Sequence, residues 1–177
     1  ASSFGYFGHM WELYAFWAFV PALLAAHAVR EGGSAMDVSL TAFAVIAAGA
    51  IGCVAGGYLS LRFGSARVAL AQLAASGLCC LLAPLLFHAG PLVFLPFLLF
   101  WGVVVAGDSP QFSALNARYA PADQVGSALT IANSIGFGIS VVSIQLLNMA
   151  ANAMPVHVLF LLLVPGPIFG LWALRPL

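Results

Sequence analysis

PLVFLPFLLFWGVVVAGDSPQFSALNA, residues 91–117, opens with seventeen residues that carry no charge. A run of this length is too long for a buried strand and lacks the two-residue alternation of a membrane barrel. It reads instead as most of a transmembrane helix, which needs about 20 predominantly apolar residues. Five more stretches read the same way, at about 5–29, 39–61, 67–88, 126–150 and 156–174. Short polar or Gly/Pro breaks separate them: REGGSAMD at 30–37, LRFGSAR at 61–67, HAGP at 88–91, YAPADQVG at 119–126 and NAMPVH at 152–157. Such clusters are turns. The sequence therefore predicts an all-α membrane protein, a six-transmembrane-helix bundle in one domain over residues 1–177.

Composition supports the same class. Hydrophobic residues make up 63% of the chain and charged residues 6%, against roughly 25% charged in soluble domains, so the lipid bilayer is the first expected partner. Five arginines balance five acids and form no basic run, which disfavours nucleic acid. Cys53, Cys79 and Cys80 lie in apolar runs without CxxC spacing and read as buried free thiols. Six spans put both termini on one side. Arg62, Arg67, Arg118 and Arg175 share that side, against Arg30 alone opposite, and the positive-inside rule makes it cytoplasmic.

Within the spans, Gly49, Gly52, Gly56 and Gly57 form a small-residue stripe suited to close helix packing. Gly126, Gly136 and Gly138 offer the same, or a bend. Pro21, Pro84, Pro96, Pro110 and Pro165 each fall inside a span and are expected to interrupt it, which favours a moving or cavity-forming bundle.

Polar side chains in hydrocarbon are the functional candidates. His9, Glu12, Asp108, Gln111, Asn133 and Gln145 lie inside spans. At about 1.5 Å per residue, Glu12 and Asp108 both fall roughly 10–15 Å from the cytoplasmic boundary. Tyr6, His9 and Glu12 form one helical stripe, and Trp101, Asp108 and Gln111 another. The two stripes are expected to face each other across a water-filled cavity that solvates the charges and lets the carboxyls exchange protons. Plainer readings stand beside this: Glu12 as a structural partner of His9, Asp108 as the cap of a restarting helix, and Asn133 and Gln145 as interhelical glue.

His27, His88 and His157 fall near outer span ends, where unrelated interfacial histidines are the ordinary reading and a metal or pH-sensing site the sharper one. No pair of interior histidines suits haem, and GxSxG, SxxK and HExxH are absent. Neither a cofactor, a metal nor an enzymatic activity is expected.

GGYLSLRFGSAR, residues 56–67, resembles the major facilitator superfamily loop motif G-x-L-a-D-R-x-G-R-R at Gly57, Leu59, Arg62, Gly64 and, displaced by one, Arg67. Leu61 stands where the motif has aspartate, a degradation common in the second half of such transporters. GYFGHMWELYAFWAF (5–19) and GDSPQFSALNARYAPADQVGSALTIANSIGF (107–137) resemble the seventh span, and the tenth through eleventh spans, of bacterial members around the nitrate/nitrite-porter and cyanate-transporter-like groups. The likeness extends over essentially the whole chain and implies one half of a twelve-span fold, the carboxy-terminal one.

What the resemblance implies is a secondary transporter of the bacterial inner membrane that moves a small solute by alternating access, as a proton-coupled symporter. Glu12, Asp108, His9, Gln111 and Asn133 would then be substrate or proton-coupling residues, with Trp101, Tyr14 and Trp17 as aromatic walls. Gly57, Arg62, Gly64 and Arg67 would form the cytoplasmic gating loop. Nitrate is disfavoured because residues 39–61 hold no basic side chain. The expected partner is the missing amino-terminal six-span half, or a second copy of this chain in a half-size homodimer. A non-transporting accessory or structural subunit is the rival from another class.

Overall fold

A computed structural model describes residues 1–33 and 37–175. The described chain is all-α, with six helices long and apolar enough to cross a membrane. Helix α1 covers Ser2–Arg30, α2 Val38–Phe63 and α3 Ser65–Leu86. The fourth span, Pro91–Tyr119, is built from α4 (Pro91–Gly107) and α5 (Ser109–Tyr119), joined at Asp108. Helix α6 covers Val125–Ala150. The sixth span runs from α7 (Val156–Leu159) through a 3-10 turn (Phe160–Leu163) into α8 (Pro165–Leu174). Of the expected turn at 30–37, residues 34–36 lie outside the described residues.

Two local expectations are corrected. Residues 61–67 are not an extended turn, because helix continues to Phe63 and resumes at Ser65, leaving Gly64 alone to reverse the chain at φ 83° and ψ 147°. That region of backbone space is open essentially to glycine only. Nor do five prolines interrupt five helices. Helices α1, α3 and α4 run through Pro21, Pro84 and Pro96. Only at Pro110 and Pro165 does a helix restart, with proline in its first turn, where no amide hydrogen is needed.

Glycines set the closest packing. Helix α2 packs most extensively on α4. A methyl group at Gly52 would overlap the Val103 carbonyl, and one at Gly102 the Val45 carbonyl. The α1–α8 contact uses the same device, since a methyl at Gly8 would strike the backbone of Gly166 and Gly170. Helix α1 is the centre of the bundle, touching α2, α4, α5, α6 and α8. Its Phe16 is fully buried 4.4 Å from the ring of Trp101 and 6.2 Å from that of Phe160. Helix α6 is peripheral, burying only the narrow stripe Ala132, Gly136, Ser140, Ser143 and Leu147. Its docking on α1 includes a hydrogen bond from Ser140 Oγ to the Met10 carbonyl at 2.7 Å.

Candidate functional site

The inward face of α1 places His9 and Glu12 one turn apart, each 1% exposed. Each is met by a different group of side chains.

Glu12 is held by α3 and α4. Its Oε2 accepts from Ser76 Oγ at 2.9 Å, and its Oε1 accepts from Trp101 Nε1 at 2.9 Å and from Cys80 Sγ at 3.3 Å. Ser76 and Cys80 lie four residues apart, and so share one face of α3. Neither charged nor uncharged carboxyl need be left unmatched here. The Ser76 hydroxyl has one proton and two acceptors in reach, Glu12 Oε2 and the Leu73 carbonyl at 3.1 Å. A protonated Glu12 donates to Ser76, which then donates to Leu73, while an ionised Glu12 receives the serine proton itself.

The second group forms where the fourth span breaks. His9 Nδ1 approaches Asp108 Oδ1 to 2.9 Å, and His9 Nε2 lies 2.8 Å from Ser109 Oγ. His9 thus bridges two consecutive residues of the break. The Nδ1–Oδ1 contact is close enough for an ion pair or a hydrogen bond. The amides of Asp108 and Ser109 also face the carboxyl. Asp108 is 0% exposed and, although it stands at the N-cap of α5, its side chain makes no capping bond. Capping therefore does not explain this residue. Gln72 of α3 wedges against α2 and Gly107 nearby, donating to the Gly52 carbonyl at 3.3 Å with Oε1 unpartnered.

The remaining candidates divide. Gln111 is buried on α5, one turn beyond Asp108. Trp101 is fully buried, packed by Phe16, Phe97 and Phe160, and so belongs to the core around Glu12. Tyr14 and Trp17 are half-buried, stacked edge to face at 5.3 Å, with Phe137 5.3 Å from Tyr14. Asn133 is exposed on α6, away from the His9 and Glu12 groups. Gly57 has open space around it, and Arg62 and Arg67 are exposed on either side of Gly64, with the Arg62 guanidinium 5.4 Å from the Phe63 ring centre.

Sequence reasoning expected water between the two stripes. Protein groups take that place instead: Ser76, Cys80 and Trp101 at Glu12, Asp108 and Ser109 at His9. An apolar groove of about 520 Å³ between α1, α6 and α8, lined by Phe7, Trp11, Ile139 and Phe169 among others, reaches neither carboxyl. Ser76, Cys80 and Ser109 were missed from the sequence. The i, i+4 spacing of Ser76 and Cys80 was the available signal for one polar face in α3. Among the described residues, no three His, Cys, Asp or Glu side chains gather as a metal site.

Comparison of the chain with protein-family models, curated proteins and solved structures finds no match.

Proposed function

We propose that this chain is the carboxy-terminal six-span half of a major facilitator transporter of the bacterial inner membrane, moving a small solute by alternating access with proton coupling centred on Asp108. The carrying observation is the contact of buried His9 with Asp108 and Ser109, in which Nδ1 lies 2.9 Å from the fully buried Asp108 carboxyl and Nε2 lies 2.8 Å from the Ser109 hydroxyl. A carboxyl in the membrane interior costs stability and is retained most often on an ion or substrate pathway. His9 can accept a proton from Ser109 or donate one to it, according to its own protonation state. Glu12 serves as the second carboxyl of the same helix face, and its alternative hydrogen-bond arrangements accommodate both protonation states.

That the chain is one half of a larger assembly is supported by α6. Asn133, Gln145 and Asn148 are exposed on a helix of membrane-spanning length, and lipid offers their amides no partner. A second six-span unit would cover them, either the amino-terminal half or another copy of this chain. The arginine distribution puts both termini in the cytoplasm, with Arg62 and Arg67 flanking the inner turn as a gate.

The test is uptake into proteoliposomes made with the intact native transporter, across a pH gradient, for a panel of small neutral and cationic solutes. Asp108→Asn should abolish gradient-driven accumulation while leaving solute exchange. Accumulation at the wild-type level in that variant overturns the coupling assignment, and failure to move any solute overturns transport. In that last case the accessory-subunit reading gains, favoured by one observation: Glu12 is matched by three donors from two neighbouring helices, as a purely structural clasp would be.

A further inference from the structure

At the opposite end of the bundle from Gly64, two histidines far apart in sequence meet. His88 lies in the turn between α3 and α4, and His157 in α7, at the start of the sixth span. Their ring centres are 5.1 Å apart and their planes are inclined by 77°. His88 is exposed and His157 half-buried, so a dissolved ion can reach the pair.

We infer that His88 and His157 form a binding site for a divalent zinc-class ion that clips the α3–α4 turn to the sixth span. The reading is independent of the proposed transport function. Its first support is geometric. A metal–nitrogen bond of about 2.0–2.1 Å puts an imidazole centre about 3.2 Å from the ion. With one nitrogen of each ring directed at a shared ion, two centres 5.1 Å apart subtend about 105° there, close to the tetrahedral angle that zinc adopts. A right angle, as in the tetragonal sites of Cu²⁺, would bring the centres to about 4.5 Å on the same construction.

The second support is availability. Ring hydrogen bonds from histidine among the described residues belong to His9 and His27, which leaves the nitrogens of His88 and His157 free. His157 is also held in place, its ring stacked on Phe87 at 4.4 Å and 11°. His27 lies on another side of Phe87, 5.7 Å from that ring, with Nε2 donating to the Ala89 carbonyl at 3.0 Å, and does not join the pair. The charged groups nearby are Arg30, which donates to the His88 carbonyl at 2.9 Å, and Glu31, which pairs with Arg30 and offsets its charge. With no third protein ligand among the described residues, water completes the shell and the ion remains exchangeable.

The experiment is calorimetric titration of Zn²⁺ into the full-length, tag-free, chelator-treated protein in detergent, with X-ray absorption on the loaded sample. One ion per chain with two imidazole ligands is expected, together with a rise in Tm on loading. His88→Ala should weaken binding at least tenfold. His157→Phe, which keeps the stack on Phe87, should do the same, and neither should change the metal-free Tm appreciably. Absence of Zn²⁺ binding overturns the site, as does equal binding by the wild type and both variants.

Discussion

Trp101 Nε1 donates to Glu12 Oε1 across 2.9 Å, and both residues are closed off from the bundle surface, at 0% and 1% exposure. An indole on α4 and a carboxyl on α1 are thereby tied at the level where α3 adds Ser76 and Cys80. A carboxyl, costly in hydrocarbon, has become a junction of three helices.

Removing the carboxyl strands two buried donors, Trp101 Nε1 and Cys80 Sγ, since Ser76 can turn to the Leu73 carbonyl, while an amide of the same shape satisfies all three. In Glu12→Gln the side-chain carbonyl accepts from Trp101 and Cys80, and the amino group donates to Ser76, whose proton passes to Leu73. Glu12→Ala should therefore lower stability by about 2 kcal/mol or more, and Glu12→Gln by much less. Thermal unfolding in detergent compares them. Equal losses would mean that the negative charge itself, and not the hydrogen-bond pattern, holds the junction.

Glycines of one sequence stripe should differ in what they tolerate. At Gly52 a methyl group meets the carbonyl of Val103, which is backbone and cannot swing aside, whereas at Gly57 nothing lies within 4 Å. Gly52→Ala should separate α2 from α4 at a cost of about 1–3 kcal/mol. Gly57→Ala should be neutral, or stabilise by up to about 1 kcal/mol through helix propensity. Denaturation midpoints of the two variants in one detergent decide this.

Gly64 is the whole turn between α2 and α3, at φ 83° and ψ 147°. Gly64→Ala should cost about 1–3 kcal/mol from backbone strain alone, because nothing crowds the added methyl. A Tm equal to that of the wild type would show that the turn can relax into another conformation.

The six spans were legible because bilayer thickness imposes a length on each apolar run, and the observed helices begin and end within three residues of the expected limits. The break in the fourth span was legible in part, since Asp108-Ser109-Pro110 combines a polar pair with a residue that cannot donate. The partners of Glu12 were not. Ser76 and Cys80 look like ordinary small residues in an apolar helix until α3 is rotated against α1, and that rotation is fixed by contacts such as Pro167 against Gly77, which no single stretch displays. The place of Asn133 was illegible for the same reason: its spacing says nothing of which side of α6 meets α1, and Ala132, Gly136 and Ser140 occupy that side.

Asp108 should behave unlike Glu12 when it is removed. Its side chain caps nothing and meets His9 Nδ1 at 2.9 Å, so Asp108→Ala removes the burial cost of the carboxyl and, against it, the contact with His9, and the two offset. Its effect on stability should lie within about 0.5 kcal/mol, or be favourable. His9→Ala is the opposite case. It deletes a ring packed 5.7 Å from Phe112 and 6.0 Å from Tyr6, and it takes from Asp108 the close approach of Nδ1, for a loss of about 2 kcal/mol or more. With Asp108 already absent, His9→Ala no longer strands a carboxyl. The double variant should therefore be more stable than the sum of the single changes, by about 0.5–3 kcal/mol as for other residues in contact. Chemical denaturation of the four proteins completes the cycle. Strict additivity would mean that the 2.9 Å approach carries no energetic coupling, and a large loss in Asp108→Ala alone would make this residue a structural element of the break.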